Sequence, residues 1–163
     1  MLELHEDEAG LSSVPTLSLM WALRGKQPLV STSTRSRQKV TLFGAVDGKR
    51  QRRYLMISEK GNTDTYLSFL RHLDRVIPSQ TAILMVVDNV PFHHSRRLKA
   101  EFENSRFHFV YQAPYSPHLN KQEDEWRAMR REVTHNTFYP AFEQELESVE
   151  AHFLSLGAVC FKP

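Results

Sequence analysis

With 163 residues, 40% of them hydrophobic and 25% charged, the chain has the size and make-up of one globular unit with a core of its own. A single cysteine, Cys160, excludes an internal disulfide and suits a reducing, intracellular compartment. No apolar run is long enough to cross a membrane, and the acidic start (Glu3, Glu6, Asp7, Glu8) is the opposite of a secretory leader, so a cytoplasmic protein without a membrane partner is expected. The net charge of +2 says little until it is located. Arg24, Lys26, Arg35, Arg37, Lys39, Lys49, Arg50, Arg52 and Arg53 crowd one stretch against a single acid, Asp47. That stretch suits a polyanion, and equally the solvated face of a strand pair.

In chain order, residues 2 to 7 alternate apolar and polar as a short strand does, with Gly10 as the break. Residues 11 to 37, rich in Ser, Thr, Pro and basic side chains around Trp21 and Leu23, read as a long, partly extended excursion that calls for a functional reason. Lys39 to Val46 and Arg53 to Ser58 are β-rich runs joined by Asp47-Gly48, a hairpin signal. Tyr66, Phe69, Leu70, Leu73 and Ile77 recur at helical spacing, with Asn62 or Thr63 as the cap and Pro78 as the stop. Ala82 to Val87 is an unbroken apolar run of the kind buried on both faces of a sheet, and it delivers Asp88-Asn89. Residues 95 to 103 read as a helix, 107 to 111 as a strand, and Pro114 and Pro117 punctuate a loop before helices at about 120 to 133 and 142 to 156. The order predicts an α/β fold, a mixed five-stranded sheet flanked by helices, with residues 1–163 forming one domain.

This topology brings together three carboxylates: Asp7 at the end of the first strand, Asp88 at the end of the buried strand and Glu123 on the helix after the proline loop. A buried strand that ends in an aspartate must pair that charge or give it to a metal. Oxygen-only ligation with open positions suits Mg²⁺ or Mn²⁺, and two such ions serve phosphodiester chemistry. On the helical wheel Trp126, Met129 and Val133 form an apolar stripe, while Glu123, Arg127 and Arg130 lie together beside it. Glu123 and Arg127 read alternatively as a surface i,i+4 pair. Asp124 is the one neighbour able to replace Glu123, because the wheel turns Glu125 away.

The runs Asp88-Asn89-Val90-Pro91-Phe92-His93, Pro114-Tyr115-Ser116-Pro117-His118-Leu119-Asn120 and Glu123-Asp124-Glu125-Trp126 resemble the DDE transposases of the mariner superfamily, in particular the bacterial insertion-sequence branch. Asp7-Glu8-Ala9-Gly10 resembles the first motif of that family, Trp21 and Gly25 stand where a Trp and a Gly are usual, and the likeness spans roughly residues 6 to 133. His118 stands where that family has an aspartate, and Lys121-Gln122 where it has a proline and a hydrophobic residue. The resemblance implies an RNase H-like fold, metal ligation and catalysis by Asp7, Asp88 and Glu123 with two Mg²⁺ or Mn²⁺ ions, and cleavage at transposon ends followed by strand transfer. It also implies DNA, both transposon ends and target, as the partner, and a homodimer to join two ends. Family members carry an N-terminal helix-turn-helix region, and none precedes the first strand here, so a separate DNA-binding polypeptide or a longer chain is expected to recognise the ends.

Further residues complete the expected site. His93 orients Asp88 or contacts phosphate, Asn89 contacts substrate or forms a turn, Tyr115 stacks on a base or braces its loop, and Asn120, Arg127 and Arg130 hold DNA or support the ligands. A structure-selective nuclease, and a degenerate domain that binds DNA or dimerises without cutting, are the competing functions.

Overall fold

The computed structural model describes residues 1–32, 37–113 and 119–163. Its strands are β1 (Leu2–Ser12), β2 (Lys39–Asp47), β3 (Arg53–Ser58), β4 (Ile83–Val87), β5 (Phe107–Tyr111) and β6 (Val159–Phe161). Its helices are α1 (Thr63–Val76), α2 (Arg96–Phe102), α3 (Lys121–Met129) and α4 (Phe142–Ser155). The sheet order is β5-β4-β1-β2-β3-β6, and among the described strands β2 alone runs against the rest.

Two cores cover the sheet. Leu4, Phe43, Met56, Met85 and Val87 pack on one face beneath α1 and α2, where Tyr66, Phe69, Leu70 and Leu98 meet them. On the other face Ala9, Leu11, Leu42 and Leu55 pack beneath Trp126 and Met129 of α3 and Val149 and Phe153 of α4. The strict alternation along β1 and β2 is what sorts side chains between the two cores. In β4, Ile83, Met85 and Val87 are buried while Leu84 and Val86 are half-buried, so the strand expected to be covered on both faces is fully covered on one.

Several boundaries differ from the sequence expectation. The first strand does not break at Gly10: β2 pairs with it from Leu4 to Ser12, and Gly10 sits in that ladder opposite Thr41. The hairpin turn is longer than Asp47-Gly48, because the left-handed residue is Arg50 (φ 56°) and the Asp47 carboxylate accepts from the Gln51 amide at 2.6 Å. Helix α1 begins as expected, with the Asn62 side chain accepting from Asp64 and Thr65 and Thr65 returning the bond. The helix expected over 120 to 133 is α-helical only to Met129 and then widens into a π-turn, Arg130–Thr134, where the His135 amide reaches back to the Arg130 carbonyl at 2.7 Å.

The sheet has six strands, not five. Helix α4 ends in a Schellman motif, with Gly157 at φ 76° and the Gly157 and Ala158 amides bonded to the Leu154 and Phe153 carbonyls. That reversal lays Val159–Phe161 beside β3 as a parallel edge strand of three residues, too short to stand out by periodicity.

Candidate active site

The parallel register of β1 and β4 runs from Leu2 opposite Ile83 to His5 opposite Val86. Continued by two residues, it sets Asp7 level with Asp88. Asp7 is therefore not at the end of its strand as expected. It lies inside β1, at the point where β4 has stopped and only β2 remains as a neighbour. Strand alternation then divides a run of acids. Asp7 shares the face of Ala9 and Leu11, towards α3, whereas Glu6 and Glu8 share the face of Leu4, towards α1.

Helix α3 brings Glu123 to the first of these faces. Asn120 caps it, accepting from the Gln122 amide at 3.1 Å while its own amide donates to the Glu6 carbonyl at 2.8 Å, which pins the helix start to β1 one residue from Asp7. Trp126 is fully buried, its ring edge-on to Phe153 at 5.5 Å. Gly44, the β2 residue paired with Asp7, lets the helix come this close: a Cβ there would stand 2.4 to 2.6 Å from the Gln122 amide and the Trp126 ring.

Burial, then the charges of Glu8, Glu123 and Asp88, push the Asp7 carboxyl up to about 7 against a backbone hydrogen bond from Glu8. Asp88 is shifted the other way, below the ordinary carboxylate range, first by its hydrogen bond with His93 and then by the Val90 amide, which donates at 3.0 Å. Carboxylate oxygens carried by two strands and a helix are donors that suit hard divalent cations better than zinc or a redox metal. Behind it, on the α1 face, Glu6, Glu8 and His93 bring donor atoms within 4.8 Å of one another. Glu6 and Glu8 were passed over in the sequence. The signal for them is the alternation of Leu4-His5-Glu6-Asp7-Glu8, which forces acids onto both faces of one strand.

The remaining expected residues are distributed as follows. His93 is fully buried against Asp88. Asn89 is exposed and its amide donates to the Gln112 carbonyl at 2.6 Å, a tie between the β4 and β5 ends. Arg127 lies beside Glu123 and Asp124, at 3.5 Å from each. Arg130, two turns past Glu123 and just beyond the end of α3, faces a cavity of about 320 Å³ with Leu11, Lys39, Thr41 and Glu145. Tyr115 and His118 lie outside the described residues. Asp124 pairs with Arg50, away from Asp7, and Glu125 is buried against Arg53 at 2.8 Å. The basic stretch is therefore not one free face: Arg50 and Arg53 hold α3, Lys39 stands at one end of β2 near Arg130, and Lys49 and Arg52 stand at the other beside Glu3.

The sheet order with its single reversed strand defines an RNase H-like α/β domain. The family model for DDE superfamily endonucleases matches residues 4–145, and the chain belongs to that family. It is 29% identical over 151 residues to the insertion element IS630 uncharacterized 39 kDa protein of Shigella sonnei, covering 92% of this chain and 43% of that protein. The Mos1 mariner paired-end complex with Mn superposes with a TM-score of 0.70 at 21% identity, over 94% of this chain and 48% of that one. The Mos1 strand transfer complex superposes with a TM-score of 0.69 at 21% identity, over 94% and 47%. The chain thus spans less than half the length of these relatives. Among the described residues no helix is long and apolar enough to cross a membrane.

Proposed function

We propose that this chain is the catalytic domain of a cut-and-paste DNA transposase, cleaving phosphodiester bonds at transposon ends and joining the freed ends to target DNA. The reading is supported by where Asp7, Asp88 and Glu123 stand, on two adjacent strands and the helix packed over them, and by an Asp7 carboxyl raised first by burial and then by Glu8, with Glu123 and Asp88 adding to it. These three residues would hold two Mg²⁺ or Mn²⁺ ions. When bound, such a pair activates the attacking water or 3′-hydroxyl and stabilises the leaving oxygen.

The chain's own groups supply the rest. Asp88 is favoured in its charged form by its hydrogen bond with His93. Asn120 and Gly44 fix the approach of Glu123. Arg127 on α3 and Arg130 just past its end would contact backbone phosphates, which position DNA without reading its sequence. Residues 1–163 act as one catalytic unit in the cytoplasm. Two copies pair to hold two transposon ends, and end recognition belongs to a further DNA-binding region or polypeptide. The Mos1 relatives are paired-end and strand transfer complexes, some with Mn or Mg, which agrees with this assignment of partner and cation.

The test compares the chain with Asp88→Ala on labelled duplex DNA carrying transposon ends, in Mn²⁺ or Mg²⁺. Metal-dependent nicking that the variant lacks is expected. Binding of DNA without cutting, together with no heat of Mn²⁺ binding, overturns the catalytic reading in favour of a DNA-binding domain.

A further inference from the structure

Glu8 belongs to the Asp7-Glu8-Ala9-Gly10 motif, yet it points away from the face that Asp7 and Glu123 share. On its own face it meets His93. The Glu8 carboxylate stands 3.2 Å from His93 Nε2, and His93 Nδ1 stands 3.1 Å from both the carboxylate and the main-chain carbonyl of Asp88. We propose that Glu8 is a positioning residue for the reaction, fixing the His93 ring so that its other nitrogen holds the Asp88 carboxylate in the orientation that binds metal.

The surroundings leave the imidazole little freedom. Its side chain is fully buried, with the Tyr66 ring at 4.6 Å and the Phe92 ring at 4.7 Å, and the Tyr111 hydroxyl donates to the His93 carbonyl at 2.9 Å. Donation to Glu8 and Asp88 at once requires a proton on each ring nitrogen. Glu6 is also fully buried, 3.4 Å from Nε2, and neither of its oxygens closes a hydrogen bond. Of the two carboxylates on this face, Glu8 is the one that closes a hydrogen bond to the ring. The arrangement is that of a carboxylate behind a histidine behind a metal ligand, where the rear carboxylate sets ring orientation without touching the ion. It ties β1 to the end of β4 through the face of the sheet opposite Glu123, so Asp7 and Asp88 are fixed relative to each other from behind.

The inference rests on Asp88 being a metal ligand, and its test separates the two claims. Mn²⁺ affinity is measured by calorimetry for the wild-type chain, Asp88→Ala, Glu8→Ala, Glu8→Gln, His93→Ala and the double variant Glu8→Ala/His93→Ala, each with its melting curve. Asp88→Ala should abolish binding; if it does not, the ligand assignment itself falls. Glu8→Ala should weaken binding roughly ten- to a hundredfold, as loss of a partner behind a ligand does. Glu8→Gln, which still accepts from the ring, should recover most of it, and the double variant should bind no worse than His93→Ala because the two act in series. Glu8→Ala within twofold of wild type, or effects of the two single variants that multiply, overturns the role of Glu8.

Discussion

Asp7 sets the pH behaviour of the site. Its carboxyl titrates near 3.8 in the unfolded chain and at about 7 in the folded one, so between those values the unfolded chain has lost a proton that the folded chain keeps. Stability of the metal-free protein therefore falls as pH rises from about 4 to 7, with a slope from this residue of about 1.4 kcal/mol per pH unit, and levels off above. Urea unfolding in a chelator at several pH values reads this, and Asp7→Asn should remove one proton's worth of the slope. In the proposed metal site a divalent cation would compete with the same proton. Mn²⁺ affinity should rise up to about pH 7 and then plateau, with proton release seen by calorimetry in two buffers; an affinity flat from pH 5 to 8 would contradict the placement of Asp7 at the ion. Glu145, beside Arg130, behaves alike for a simpler reason, since burial alone pushes it up to about 7. Glu145→Gln should thus raise the melting temperature at pH 8 and leave it nearly unchanged at pH 4.

Helix α3 is the element on which the geometry turns, and two contacts with different physics hold it. Packing over Gly44 is steric: with 2.4 to 2.6 Å between a new Cβ and Gln122 or Trp126, Gly44→Ala must push the helix off β2. Overpacking of this kind costs about 1–3 kcal/mol, and because Gly44 pairs with Asp7 the same shift should weaken Mn²⁺ binding beyond what the lost stability explains. The Glu125–Arg53 pair is electrostatic, with side chains only 7% and 16% exposed, so Glu125→Ala strands a largely buried guanidinium and should cost about 3 kcal/mol in chemical unfolding. An effect below about 1 kcal/mol would show that water reaches Arg53. Much of this helix was legible beforehand: the Trp126, Met129 and Val133 stripe and the outward turn of Glu125 from the site both follow from a period of 3.6. Its end was not. The π-turn after Met129 depends on how residues 134 to 136 dock against Thr16 and Ser18, more than a hundred residues away, and no local pattern encodes that.

At the scale of the molecule, the chain is a sheet with a core on each face and one segment that joins neither. The two cores were legible because each strand alternates, and the place of Asp88 because the buried apolar run of β4 must end somewhere polar. The basic stretch misled as a single surface, since sequence neighbours on a hairpin turn and on the strand end before it stand at opposite ends of β2. The segment after β1 is the part whose conformation sequence left open. Its root is fastened: Thr16 bridges to His135, and the Asn136 side chain, on a left-handed backbone at φ 58°, binds both the amide and the carbonyl of Ser18, at 2.9 and 3.1 Å. Past that clamp Leu19 and Trp21 are fully exposed and Leu23 and Leu29 nearly so, with no core to join. Backbone without tertiary contacts opens to proteases at almost no free-energy cost, whereas cleavage inside a core must wait for global unfolding. Chymotrypsin at low ratio should therefore cut first between residues 19 and 29 and leave a nicked protein whose melting temperature matches the intact one. Asn136→Gly keeps the left-handed turn but drops the two side-chain bonds, and should move the earliest cuts back to Leu17; first cuts in β2 or α3 would mean that the segment, not the sheet, is the better protected part.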